Sequence, residues 1–175
     1  MDRVNIFTAT TIKGPSKQEA VGHFIIELIH EGKPLTYPPE GKDTFIYRES
    51  TTAVSLTTEL LANALYVLPH LLKRYTNGEI ESITCWMEQA AAGPYCNKWY
   101  EKWQQAEWTN SKGEPIKDAD KWKILTQEME KMAKSFIFNA GHNSYRNLMQ
   151  DLATKELKRH KSLEMIQKER QKAGV

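Results

Sequence analysis

Nine residues, Val21 to Ile29, read VGHFIIELI, an almost unbroken apolar run interrupted by His23 and Glu27. A short run of this kind, bounded by turn residues, reads as a well-buried strand, and such a strand needs cover on its faces. Before it, Arg3 to Thr8 is rich in β-branched and aromatic residues and reads as a first strand. The Gly14-Pro15 pair within Lys13 to Lys17 supplies a turn between the two. Glu31-Gly32-Lys33 marks the next turn, and after Pro38 to Gly41 comes Thr44-Phe45-Ile46-Tyr47, a third strand. Three strands in succession imply antiparallel neighbours.

The period then changes. Leu60, Leu61, Ala64, Leu65 and Leu68 recur at helical spacing and put a wide apolar stripe on one face. Pro69 lacks an amide proton and is expected to kink or end that helix, although Leu71 and Leu72 suggest a further turn. Ile80 to Trp86 alternates like a strand after an Asn77-Gly78 turn. Helical stretches follow from about Glu88 and over Ala119 to Ala133, parted by the polar Asn110 to Pro115 loop. A short strand at Ser135 to Phe138, the pair Gly141-His142 and a long last helix complete the order. This is an α/β sandwich, a mixed sheet with helices on its faces. A length of 175 residues fits one domain.

Charge and cysteines narrow the partners. Lys and Arg number 24 against 22 for Asp and Glu, so any basic patch must be local. Two cysteines, Cys85 and Cys96, form neither a disulfide framework nor a zinc motif, which fits a reducing, cytoplasmic setting. No run approaches the roughly 18 apolar residues of a membrane span, so no membrane association is expected.

Trp99, Trp103, Trp108 and Trp122, with Gly113, Pro115 and Lys117 in the loop between the last two, fall at the spacings of the handle region of bacterial-type ribonuclease H. Thr57 to Ala62 (TTELLA) resembles that family's N-x-x-E-L-x-A helix start, and Asn147 to Ala153 (NLMQDLA) its N-x-x-x-D-x-L-A final helix. Gly141-His142 is similar to the glycine-histidine that opens its catalytic loop, here one residue short. The resemblance covers the chain to about Lys158. It implies a five-stranded sheet, three antiparallel strands and then two parallel, with a helical handle, over residues 1–160. Residues 161–175 are then a basic helical extension.

The family cleaves the RNA strand of an RNA/DNA hybrid with two divalent cations held by four acidic residues, oxygen ligands suiting hard ions. The resemblance assigns Glu59 and Asp151 to the second and fourth acidic positions and His142 to the catalytic loop. Ala9 stands at the first position and Met87 at the third, and neither offers an oxygen ligand. Glu88, one residue on, is read as a solvated glutamate, because neighbours on a strand point to opposite faces. Restoring Ala9→Asp with Met87→Asp is expected to create divalent-cation affinity.

The same resemblance places nucleic-acid contacts at Lys98, Trp99, Lys102, Trp103, Trp108, Lys112 and Lys117. Gln104 to Glu107 replaces the family's basic residues there, and Asp118 stands where an asparagine usually helps to hold a phosphate. From Leu152 onward the chain carries seven Lys or Arg against three Glu, a segment able to dock on a partner or lie along nucleic acid. The expectation is a protein that binds RNA/DNA hybrid or duplex without cutting it. The alternatives are a protein-interaction module built on the Trp-rich handle, and an active nuclease with an altered ligand set. No cofactor is expected unless activity remains, in which case Mg or Mn would serve, bound weakly at Glu59 and Asp151.

Overall fold

A computed structural model describes residues 1–14, 19–39, 44–76, 79–141 and 143–174. The turns expected at Pro15 to Lys17, at Gly41 and at Asn77-Gly78, and the loop residue His142, lie outside the described residues. β1 (Asp2–Lys13) and β2 (Glu19–His30) pair antiparallel over eleven registered residues, from Arg3 opposite Ile29 to Lys13 opposite Glu19. β3 (Lys33–Tyr37) and β4 (Phe45–Glu49) both pair with β2, at its two ends. After α1 (Ala53–Tyr75), β5 (Ile80–Met87) runs parallel to β1, and β6 (Ser135–Ala140) parallel to β5. Between them lie α2 (Gln89–Cys96), α3 (Trp99–Gln105) and α4 (Ala119–Met132), and α5 (Arg146–Lys172) follows β6. The sheet order is β3-β2-β1-β5-β6, with β4 beside β2.

The expected third strand at Thr44 to Tyr47 is β4, and β3 before it is a further strand that was not expected. Pro38 and Pro39 part the two, since proline cannot donate to a ladder, and Lys33 to Tyr37, read from sequence as turn and connection, pairs with β2 before the break. β1 also runs beyond its expected end at Thr8, because Thr10, Thr11 and Ile12 continue the register with Gly22, Val21 and Ala20.

Alternation sorts the strand residues between two helical layers. Val4, Ile6, Phe24, Ile26, Leu28, Ile83, Cys85 and Met87 pack under α1 with Leu56, Leu60, Leu61, Leu65 and Leu68. On the other face, Phe7, Ala9 and Ile25 meet Met149 of α5, and Val21 meets Ala153 and Leu157. α1 starts earlier than the leucine spacing alone required. Thr52 caps it by accepting the Ser55 amide at 3.1 Å. Pro69 does not end it, contrary to expectation: the helix runs on to Tyr75, with Leu71 and Leu72 packed against the core on the far side of the proline.

Two sequence choices lock this packing. A Cβ on Gly22 would sit 2.7 Å from Leu60 Cδ1 and 2.9 Å from Leu56 Cγ, so only glycine lets α1 approach β2 this closely. At the opposite end of β2, the buried Asp2 carboxylate accepts from Thr76, which follows α1, and meets His30 Nδ1 at 2.9 Å. These bonds join the start of β1, the end of β2 and the end of α1.

Gly22→Ala is expected to lower stability by about 1–3 kcal/mol through overpacking, read as a fall in the urea midpoint with unchanged slope. The Thr76 hydroxyl foremost, with His30, holds the Asp2 carboxyl below its ordinary value of 3.8. Its contribution is therefore present above that value and disappears as pH falls through the lower folded-state value. Asp2→Asn should flatten this part of the acid loss in denaturation curves taken across the carboxylate range.

Candidate functional site

The C-terminal ends of β1 and β5 lie side by side. Phe7 is in register with Trp86, so one further step along each strand brings Thr8 beside Met87, and two bring Ala9 to the level of Glu88. Thr8 Oγ1 donates to the Trp86 carbonyl at 3.3 Å, and Gly141, at the end of β6, donates its amide to the Met87 carbonyl at 3.0 Å. The strand parity of β5 places Met87, and the turn of the chain into α2 places Glu88. Met87 follows Ile83 and Cys85 into the layer under α1 and is 0% exposed, a core residue. Glu88, past the strand at the cap position of α2, turns its carboxylate toward β1, where Oε2 accepts from Thr10 Oγ1 at 3.1 Å. Its Oε1 is buried and has no hydrogen-bond partner among the described residues. Glu88 is therefore not a freely solvated glutamate; it lies beyond the last residue of β5, so the alternation that buries Met87 does not govern it.

The two acidic residues assigned by sequence have surroundings of their own. Glu59, in the second turn of α1, receives Arg48 of β4 through two nitrogens at 2.9 and 3.1 Å on Oε1. Lys121 of α4 stands 3.5 Å from Oε2, an oxygen that is buried and accepts no hydrogen bond among the described residues. The chain's own cations thus neutralise this carboxylate. Asp151 lies on the exposed side of α5, since Met149 and Ala153 face the sheet and a residue two positions from each points about 200° away. The half-buried neighbour, Gln150, is the one nearer the sheet. Ala9 packs with Phe7, Ile25 and Met149. Among the described residues no three His, Cys, Asp or Glu side chains gather as a metal ion would need.

A groove of about 230 Å³ opens at the N-terminus of α1, lined by Thr51, Thr52, Ser55, Lys117, Asp118 and Lys121. Lys121 donates to Ser55 Oγ at 2.7 Å and lies 3.9 Å from Asp118 Oδ1, so that carboxylate is partly neutralised. Thr51 Oγ1 is buried there with no hydrogen-bond partner among the described residues. The first-turn amides of a 23-residue helix add partial positive charge. This groove was not singled out from sequence apart from Lys117 and Asp118, because it joins a loop before α1 to the start of α4.

The tryptophan handle divides. Trp122 is 2% exposed and is packed by Tyr95, Tyr100 and, edge to face at 5.3 Å, Trp103. Trp108, expected among the contact residues, is 8% exposed and belongs to the core, so it offers no face to a ligand. Trp103 is half-buried in the same cluster, and Trp99 is 44% exposed. Lys98, Lys102, Lys112 and Lys117 are exposed around them. Among the described residues no helix is long and apolar enough to cross a membrane.

Comparison with known proteins agrees with this architecture. The chain is 38% identical over 64 residues to a ribonuclease H of Caldanaerobacter subterraneus subsp. tengcongensis, a match that spans 35% of this chain and 42% of that protein. It is 23% identical over 159 residues to a ribonuclease H of Clostridium botulinum, covering 90% of this chain and 97% of that one. The solved structure of LC9-RNase H1, a type 1 RNase H with the type 2 active-site motif, superposes with a TM-score of 0.63 at 13% identity, over 87% of this chain and 70% of that one. The chain has a ribonuclease H-like fold. A foamy viral protease-reverse transcriptase solved in complex with dsDNA shares the ribonuclease H-like fold with a TM-score of 0.60 at 16% identity, over 87% and 92% of the two chains. No family model matches the chain.

The burial of Met87 bears on what a carboxylate at this position would do. An aspartate at this position in the ribonuclease H-like core would place a carboxylate under α1 and not beside Ala9. Met87→Asp should therefore lower stability by at least about 3 kcal/mol in urea denaturation, and isothermal titration should find no gain in Mg²⁺ affinity.

Proposed function

We propose that this protein binds an RNA/DNA hybrid or a related duplex and does not cleave it by two-ion chemistry. The observation that carries the second half is the pairing of Glu59 with Arg48 and Lys121, which occupies the retained carboxylate with protein cations. Ala9 and Met87 supply no oxygen, and Asp151 faces solvent. A hard dication needs several oxygen ligands at one point, and these residues do not gather them.

Binding is supported by the groove at the start of α1 and the lysines near it. A phosphate seated at the groove would meet the positive end of the helix, the Thr51 hydroxyl and the Lys117 and Lys121 ammonium groups, a combination suited to an anion. Lys98, Lys102 and Lys112 extend the positive surface over the handle, and exposed Trp99 offers an indole face. Contacts of this kind fix position and carry no sequence information, so the affinity should be sequence-independent and salt-dependent.

Glu88 favours one other reading, a metal-dependent nuclease with an altered ligand set, because a carboxylate oxygen without a hydrogen-bond partner lies buried beside the strand that carries Ala9. The handle as a protein-docking surface is the weaker alternative, since the packing of Trp103, Trp108 and Trp122 leaves Trp99 as its exposed indole.

A labelled RNA/DNA hybrid, incubated with the chain in Mg²⁺ and separately in Mn²⁺, distinguishes these readings, with Glu59→Gln and Glu88→Gln as controls. Retarded but intact hybrid in both metals, unchanged by either control, is the expected result. Cleavage lost in Glu88→Gln would replace the proposal with the altered-ligand nuclease, and neither binding nor cleavage would leave a protein partner as the surviving reading.

A further inference from the structure

α5 outruns the body that it packs against. Met149 meets Phe7 and Ile25, Ala153 and Leu157 meet Val21, and His160 stacks on Tyr47 of β4 at 3.8 Å between ring centres. The helix therefore travels along β2 toward its N-terminal end and out over β4. Beyond His160 its residues to Lys172 are exposed, apart from half-buried Glu164. Twelve helical residues, 161–172, or about 18 Å, thus stand largely clear of the sheet.

The charges on these turns are ordered. Lys158, Lys161, Lys168 and Lys172 recur at three-, seven- and four-residue steps, which confines them to an arc of about 80° around the helix, with exposed Met165 inside it and Glu169 about 20° beyond its edge. Exposed Leu163 and Ile166 lie on roughly the opposite side, in line with Arg159 and Arg170. A helical protein partner would need an apolar seam, and on this side two apolar residues are bounded by arginines. A second copy would bring the same lysines face to face. A row of ammonium groups over about 21 Å on an exposed helix matches instead a row of phosphates.

The direction of the helix supplies the second argument. Glu49 pairs with Glu19, and Glu19 with Lys13, so β4 ends at the same end of the sheet as β1, and α1 begins four residues after β4 ends. The projecting turns of α5 and the α1 groove with Lys117 and Lys121 therefore belong to one end of the molecule, on the two opposite faces of the sheet that α5 and α1 cover.

We infer that the projecting turns of α5 are a basic arm that lies along the phosphate backbone of the duplex held at the α1 groove, through Lys158, Lys161, Lys168 and Lys172. The inference rests on the duplex-binding reading and adds a second contact surface to it. The arm contributes affinity without base readout, and it lengthens the stretch of duplex that one molecule covers.

The test is the salt dependence of binding to a short RNA/DNA hybrid, measured by fluorescence anisotropy in EDTA so that cleavage plays no part. The unaltered chain is compared with one carrying Lys158→Gln, Lys161→Gln, Lys168→Gln and Lys172→Gln, and with Leu163→Ser, Ile166→Ser. The lysine variant should bind more weakly, and its plot of log affinity against log salt should be shallower by up to about 3.6, at about 0.9 for each lysine that meets a phosphate. The apolar variant should match the unaltered chain. A lysine variant whose slope changes by less than about 0.9 overturns the arm while duplex binding by the body stands. Weakened binding in the Leu163, Ile166 variant with an unchanged lysine variant also overturns it, in favour of an apolar contact, and no binding by the unaltered chain overturns both readings together.

Discussion

Everything in this molecule is referred to the β1–β2 pair. Its eleven registered residue pairs carry the buried centre of the sheet, covered by α1 on one face and α5 on the other. Because side chains alternate across a strand, each residue of the pair is committed to one layer, and a slip of one position would exchange the layers throughout. The closeness of α1 depends on the missing side chain at Gly22, and the ends of β1, β2 and α1 are tied through Asp2. Edge elements can then be short or interrupted, as β3 and β4 are, without loss of the frame.

That frame fixes where chemistry is available. Parallel pairing of β1 with β5 brings Thr10 and Glu88 together at one end of the sheet, and the same parity turns Met87 inward. Glu59 points to β4 and α4, where Arg48 and Lys121 answer its charge. A carboxylate with two cationic neighbours is already compensated, whereas one held for metal ions must keep its oxygens free for them. This difference in electrostatic bookkeeping is what separates the proposed duplex binder from a two-ion nuclease.

Much of the fold was legible in local pattern. The continuous apolar run in β2, the leucine spacing of α1 and the tryptophan register of the handle each report on neighbours in sequence, and each reappears in the structure. The misplaced boundaries have physical reasons. Pro69 stays within α1 because Leu71 and Leu72 pack on the core beyond it, and tertiary contact of that kind outweighs a local breaker. β3 was missed because an exposed edge strand carries no apolar alternation, its pairing being supplied by β2. In the site, the identities Ala9 and Met87 were plain from sequence, but the position of Glu88 required the point where β5 gives way to α2, and the exposure of Asp151 required the buried face of α5.

The sequence by itself determined the order of elements, the ribonuclease H-like architecture and the absence of oxygen ligands at Ala9 and Met87, since all three depend on residue type and spacing. Only the tertiary structure decided that Glu59 is paired with Arg48 and Lys121, that Glu88 reaches Thr10, that Trp108 is core, and that the last turns of α5 stand clear with their lysines on one side. Each of these joins elements far apart in the chain, or depends on where such packing ends. No local periodicity records such a meeting, because it is the summed packing of the sheet and its two layers that brings the side chains within reach.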